Sequence, residues 1–464
     1  MPVVTKVGHL HHCTHNATST RNMVVIGLLD IPPELHLQIA KFAETGQSLK
    51  ALSVTSRSLR GIAQSVLFRK LQIHLGRKLM GSIDDLLANP RICAAIRFLE
   101  LHGRHCWRWK PPPNDGEKLS IITKLLPRMV GLKRVLIFNV EVNEVFINAF
   151  LEIAAKIPLR LDLSWNAYPL DISLTANTRL RISDLRFDCG AAAQPSIEFY
   201  QLLLRVSATT LTKLDVTVEG DGLIKLADID LPFLHEVSLD IQTDDEATKA
   251  SSSAFITAHR TIRKFSLTGT HRLMLVLPPN ALPGLRELHA PTELVNQLVP
   301  GRPVEAINVR SRSEQQWLGE EVGRSTVRVR KLHALLKTAI SDTRMVRRMV
   351  TILPSLESVT FAVANDVSSP FAQPPLLILL QTVLKVIEVL TSLKCLTHLH
   401  FELFHREIWV NHDFNGLATK LRKANSCFSC IEIWERSANR REHTISVWNE
   451  VIGVFHHIEY VSEL

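Results

Sequence analysis

Two cysteines three apart, in Cys427-Phe428-Ser429-Cys430, come nearest to a redox or metal motif in this chain. A zinc site wants a second pair or a nearby His at metal spacing, and a thioredoxin-like centre wants a βαβ setting. Neither accompanies them, so buried thiols are expected. His9, His11, His12, Cys13 and His15 crowd the N-terminal tail, but ligands without supporting hydrogen bonds rarely hold one metal specifically. Asp84-Asp85 and Asp244-Asp245-Glu246 are adjacent carboxylates, which do not converge as an acid/base pair must. His105-Cys106-Trp107-Arg108-Trp109-Lys110-Pro111-Pro112-Pro113 interleaves Trp with basic residues, and packing is its expected role. Basic residues 324–331, 344–348 and 440–441 come without a nucleic-acid reading motif and are expected to be solvated faces. G-x-S-x-G, G-x-G-x-x-G, the P-loop and H-E-x-x-H do not occur. The expectation is a protein with no catalytic residue, cofactor, metal or nucleic-acid partner.

Composition bounds the elements that position these residues. The chain has 464 residues, 46% hydrophobic and 21% charged, which excludes wholesale disorder. Aromatics are only 6%, while about one residue in seven is Leu, a bias that suits repetitive packing. The net charge of +9, spread over this length, favours acidic partners only weakly. Seven Cys at unrelated spacings suit a reducing compartment better than a disulfide framework. The longest apolar stretch, residues 374–390, is interrupted by Gln381, Lys385 and Glu388 and falls short of the ~20 residues a bilayer needs. A soluble intracellular chain without a membrane partner is expected, cytoplasmic or nuclear.

Residues 1–25 are expected to form a flexible tail. Residues 26–75 read as short helices. Asp30 can cap the first, and Pro32 and Pro33 suit its opening turn, where backbone N–H groups lack partners anyway. Leu35, Ile39, Phe42 and Ala43 follow at helical spacing; Ser48 can cap a second helix with Leu49 and Leu52. Leu59, Ile62, Ala63, Val66 and Leu67 make an apolar stripe on a third. So small a unit buries too little surface to stand alone, so its apolar faces call for a partner.

The segment resembles an F-box. Ile31-Pro32-Pro33-Glu34-Leu35 is similar to the family's Leu-Pro-x-Glu-Leu opening, with Ile31 in place of Leu. Leu49-Lys50-Ala51-Leu52 and Ser56-Arg57-Ser58-Leu59-Arg60 resemble its later Leu-x-x-Leu and Ser-Arg-x-Leu-Arg segments, and the Trp common in its third helix is missing. The resemblance covers about a tenth of the chain. It implies docking to the adaptor subunit of an SCF-type cullin–RING ubiquitin ligase, and through it to the cullin scaffold. Ile31, Pro32, Leu35, Ile39, Leu49, Leu52 and Leu59 would supply or support that contact.

Beyond residue 90 an apolar-x-x-apolar-x-apolar pattern recurs, as in Ile96/Leu99/Leu101, Leu132/Val135/Ile137 and Leu356/Val359/Phe361. From Ile182 to Val304 its starts lie 29, 23, 28, 23 and 19 residues apart. Each copy reads as a short strand, and stretches such as 145–155, 199–206 and 331–340 read as helices between them. The gap between Val309 and Leu356 hides at least one degenerate unit. This resembles the irregular leucine-rich-repeat proteins. The expected fold class is therefore α/β: an N-terminal three-helix F-box-like module followed by a leucine-rich-repeat solenoid over 90–464.

The residue between the last two apolar positions should face outward. Those residues are Leu136, Asp162, Arg186, Asp215, Ser238, Ser266, His289, Asn308, Thr360, His400 and Glu432. Arg186, Asp215, His289, Asn308 and His400 are the candidates for touching a target protein. The expected function is substrate recruitment to an SCF-type ubiquitin ligase; a repeat scaffold unconnected with any ligase is the alternative.

Overall fold

The computed structural model describes residues 33–42, 46–55, 57–75, 86–103, 115–140, 142–164, 179–189, 197–218, 223–269, 275–309, 318–336, 341–363, 384–403, 414–436, 442–449 and 455–461. The chain divides into two units, Met1–Arg69 and Lys70–Leu464.

Three helices make up the described part of the first unit: α1 (Pro33–Phe42), α2 (Gly46–Thr55) and α3 (Arg57–Leu67). The stripe on α3 turns inward as its spacing requires. Leu59 and Ala63 are buried, Ile62, Val66 and Leu67 are half-buried, and Arg57 and Arg60 are exposed. Arg60 Nε donates to the Ser53 carbonyl at 3.0 Å, tying α3 to α2. Ala40, Leu49 and Ala63 form the centre of a small core against which Leu52, Ile62, Val66 and Leu67 pack. Two of those three central residues are alanines, so the core is thin.

The second unit is built on one sheet. Its strands are β1 (Lys70–His74), β2 (Phe98–His102), β3 (Arg134–Phe138), β4 (Leu159–Ser164), β5 (Ile182–Cys189), β6 (Lys213–Val218), β7 (Glu236–Ile241) and β8 (Lys264–Gly269). They continue as β9 (Glu287–Ala290), β10 (Ala306–Val309), β11 (Lys331–Leu336), β12 (Ser358–Val363), β13 (His398–Leu403), β14 (Cys430–Arg436), β15 (Glu442–Asn449) and β16 (Phe455–Val461). Strand order follows chain order from end to end. β1 to β14 are parallel, and β15 and β16 close the sheet as antiparallel strands. Because the order never reverses, right-handed crossovers all fall on one side of the sheet. That side takes the apolar residues: Leu99 and Leu101, Val135 and Ile137, Leu185 and Phe187, Leu214 and Val216 are at most 3% exposed. Each such side chain contributes roughly 1.5–3 kcal/mol by leaving water.

This arrangement corrects the expected architecture of a three-helix F-box-like module followed by a leucine-rich-repeat solenoid. What is observed is an α/β fold, fourteen parallel strands alternating with helices in a single sheet. The misreading has a physical origin. An apolar-x-apolar pair marks any strand with one buried face, whatever crossover follows it. The crossovers here run from thirteen-residue helices, Glu144–Lys156 and Glu246–Ala258, to residues 275–286, which carry no helix. Among the described crossovers no common unit repeats. Residues 70–74, read with the helical module, form β1 and pair with β2. Residues 331–336, read as helical, form β11, because Leu332 and Ala334 alternate and both neighbouring strands offer parallel partners.

Where a helix is missing, a side chain satisfies the backbone instead. Arg302 is 5% exposed. Its guanidinium donates to the carbonyls of Ala281 (2.7 Å), Pro279 (2.8 Å), Leu298 (2.9 Å), Pro300 (3.2 Å) and Gln297 (3.4 Å). These buried and partly buried acceptors would otherwise lose this donor. Gly269, ending β8 at φ 123°, lies where a Cβ would come 1.9 Å from the Ile241 carbonyl oxygen, so no other residue fits there.

Candidate functional site

All-parallel sheets usually bury both faces. Here the face opposite the apolar one carries polar side chains in straight rows, because equivalent positions pair strand after strand. The central row runs Gln72, Glu100, Leu136, Asp162, Arg186, Asp215, Ser238, Ser266, His289, Asn308, His333, Thr360, His400 and Glu432. Arg186, Asp215, His289, Asn308 and His400 all lie on it. His333 belongs to it as well and escaped the sequence reading, because its strand was read as helix; the alternation of Leu332 with the small Ala334 was its one signal.

Two residues earlier runs a second row, Arg134, Arg160, Asp184, Lys213, Glu236, Lys264, Glu287, Ala306, Lys331 and Ser358. From Arg160 to Glu287 its charges alternate in sign and pair across strands. Arg160 Nε lies 3.0 Å from Asp184, Lys213 Nζ 2.5 Å from Glu236, and Lys264 Nζ 3.7 Å from Glu236 and 3.4 Å from Glu287. Arg134 reaches Asp162 at 3.3 Å and Arg186 reaches Asp215 at 3.7 Å. Asp162 is buried and also accepts from Ser164 Oγ at 3.2 Å. Half-exposed pairs of this kind contribute ~1 kcal/mol or less each. Their larger effect is on register, since a two-residue slip would set like charges side by side, Asp162 against Asp184 or Arg186 against Lys213.

Burial raises the carboxyls of Asp184, Asp188 and Asp215 above the ordinary value. Arg160 and Lys213 oppose the rise at Asp184, as do Arg186 and Lys213 at Asp215. At Asp188 the opposition comes first from hydrogen bonding with Thr217 and then from Arg186.

Over β6–β12 the polar face forms a groove of about 500 Å³. Lys213, Glu236, Lys264 and Glu287 line one end; Asn308, Lys331, His333, Ser358 and Thr360 line the other. Asp215 and His289 also line it, whereas Arg186 and His400 lie on flanking strands outside it.

The residues expected to meet an adaptor divide differently. Ile31 and Pro32 lie outside the described residues, as does the side chain of Ile39. Leu49 and Leu59 are buried, at 7% and 5% exposure, and Leu52 packs on the small core. Among the described side chains of the set, Leu35 alone is exposed, at 51%. Val54 on α2, which the sequence reading did not single out, is more exposed still, at 74%.

The remaining clusters resolve into structure. Asp245 caps the helix Glu246–Ala258, accepting from Thr248 N at 2.7 Å and Thr248 Oγ1 at 2.8 Å. Hydrogen bonds from Thr243 and Thr248 lower its carboxyl to about 2. Of the C-x-x-C pair, Cys427 is exposed, and Cys430 is buried with its thiol pushed up to about 11, too high for a ready nucleophile. The His-rich tail, Asp84-Asp85, the Trp107/Trp109 loop and Arg440-Arg441 lie outside the described residues. Among the described residues no three His, Cys, Asp or Glu side chains are placed to hold a metal, and no helix is long and apolar enough to cross a membrane.

Fold and face together define an α/β protein with a polar, grooved sheet surface. Comparison with protein-family models and with curated proteins found no match.

Proposed function

We propose that this chain is a substrate-recruiting subunit of an SCF-type ubiquitin ligase, working in the cytoplasm or nucleus without catalytic residues of its own. α1–α3 dock the adaptor, and the polar sheet face holds the target. The mechanism is proximity: a tethered target sits at high effective concentration beside the ubiquitin carrier. The observation that carries the reading is the exposure of Leu35 and Val54 on a unit whose own core centres on Ala40, Leu49 and Ala63. Large aliphatic side chains left in water on so thin a unit favour a protein partner that covers them. The F-box resemblance of residues 31–60 names the partner's class.

The test is titration calorimetry of the full chain with the SCF adaptor subunit. Leu35→Asp and Val54→Asp should each weaken binding about thirtyfold or more, the scale of an interface hot spot, with far-UV circular dichroism unchanged. If the unmodified chain ignores the adaptor, the ligase reading fails and the non-ligase scaffold takes its place.

A further inference from the structure

The groove over β6–β12 has two chemically different ends. On β6–β9, Lys213, Glu236, Lys264 and Glu287 are already bound to one another. A charged group arriving there has to break an existing pair. On β10–β12 the same row reads Ala306, Lys331 and Ser358. Lys331 is exposed, its register neighbours carry no charge, and no carboxylate among the described residues lies within ion-pair distance. Beside it, the side chains of Asn308 and Thr360 make no hydrogen bond among the described residues, although both line the groove.

Size and charge narrow the occupant. Adjacent strands lie ~4.8 Å apart, so the groove spans roughly 29 Å, the length of about nine extended residues. Lys213, Lys264 and Lys331 are balanced by Asp215, Glu236 and Glu287. A nucleic-acid backbone would bring several phosphates against those three carboxylates, whereas one acidic side chain needs only the one unpaired ammonium.

We propose that the groove holds an extended segment of a partner protein that carries an isolated carboxylate, seated on Lys331, with uncharged residues on either side. Asn308 and Thr360 hydrogen-bond the segment's backbone. This rests on the reading that the sheet face holds the target, and it does not depend on adaptor docking.

The probes are three synthetic nonapeptide pools with Glu, Gln or Lys at the centre and uncharged residues randomised elsewhere. Each pool is passed over immobilised full-length chain, and retained peptide is quantified by mass spectrometry. The Glu-centred pool should be retained at least tenfold over the other two. Lys331→Glu should reverse the preference toward the Lys-centred pool. Lys70→Glu, outside the groove on β1, should leave it unchanged. Equal retention of the three pools, an unaltered preference in Lys331→Glu, or displacement of the Glu pool by a single-stranded RNA 20-mer would overturn the assignment. Adaptor binding by the same preparation separates the two ideas. Adaptor bound with undiscriminated pools sinks the groove alone, and discriminated pools without adaptor binding sink the ligase reading alone.

Discussion

Strands β4–β8 and β9–β13 share a sheet, a register and an apolar underside, yet their polar faces differ in kind. On β4–β8 most outward positions are charged, and many of the charges pair across strands. On β9–β13 the central row is His289, Asn308, His333, Thr360 and His400. Apart from Glu287, which pairs back to Lys264 on β8, the ion pairs along these strands sit one residue before the strands begin, at Arg286–Glu305 (3.9 Å) and Arg330–Glu357 (3.6 Å). The difference teaches where binding is cheap. A self-paired ladder fixes register but resists a newcomer, which must desolvate and separate charges already matched. Imidazoles, amides and hydroxyls offer hydrogen bonds without that penalty.

The largest expected break in the comparison is Arg302→Met, which removes the prop beneath β9 and β10. Five carbonyls lose their donor, so the loss should be about 3 kcal/mol or more, read by thermal or urea unfolding. Hydrogen exchange should accelerate first in β9–β10 and last in β4–β6. Uniform acceleration over the sheet would mean that the halves are not separable.

His259 sharpens the contrast between an imidazole inside the fold and those on the face. It is buried, its ring 4.4 Å from Phe255 in an edge-on contact, and burial lowers its pKa to about 4 from 6.5. The unfolded chain gains a proton there near pH 6.5, and the folded chain refuses it until about pH 4. Stability therefore falls as pH drops through that window, by about 3 kcal/mol in all. His259→Leu should flatten that part of the stability–pH curve; an unchanged slope would assign the acid loss elsewhere.

How far the face was legible follows from what sets it. The apolar pairs located most strands, because one buried side imposes period two wherever it occurs. β11 was missed because Leu332, Leu335, Leu336 and Ala339 also fall at helical spacing. The unifying architecture was misread for a related reason: strand patterns are local, while crossover shape depends on what packs behind, as the Arg302 cluster shows. The five singled-out face residues could be named from spacing alone. Which of them share a groove depends on sheet geometry, and which cations are already paired depends on cross-strand neighbours that no linear spacing records. In the helical unit, spacing gave the α3 stripe, but the exposure of Leu35 beside the burial of Leu49 and Leu59 is a tertiary fact. Leu59→Asp is therefore expected to unfold α1–α3 rather than only to block docking.

At the edge of the charged half, Arg134→Met on β3 should cost about 2 kcal/mol, since Asp162 on β4, whose side chain is 5% exposed, would keep its charge without its cation. The smallest effect has the opposite sign. Asp188 has its carboxyl raised chiefly by burial, and hydrogen bonding with Thr217 and Ser164 only partly offsets this. A raised folded pKa means that stability falls as pH climbs through the carboxylate range. Asp188→Asn removes that penalty and should stabilise the fold at pH 7 by about 0.5 kcal/mol. The gain should fade on acidification, when the native carboxyl is protonated in both states. If Asp188→Asn destabilises at pH 7, its charge is bound into the ladder as firmly as that of Asp184, and the polar face is more uniformly ion-paired than its row-by-row geometry implies.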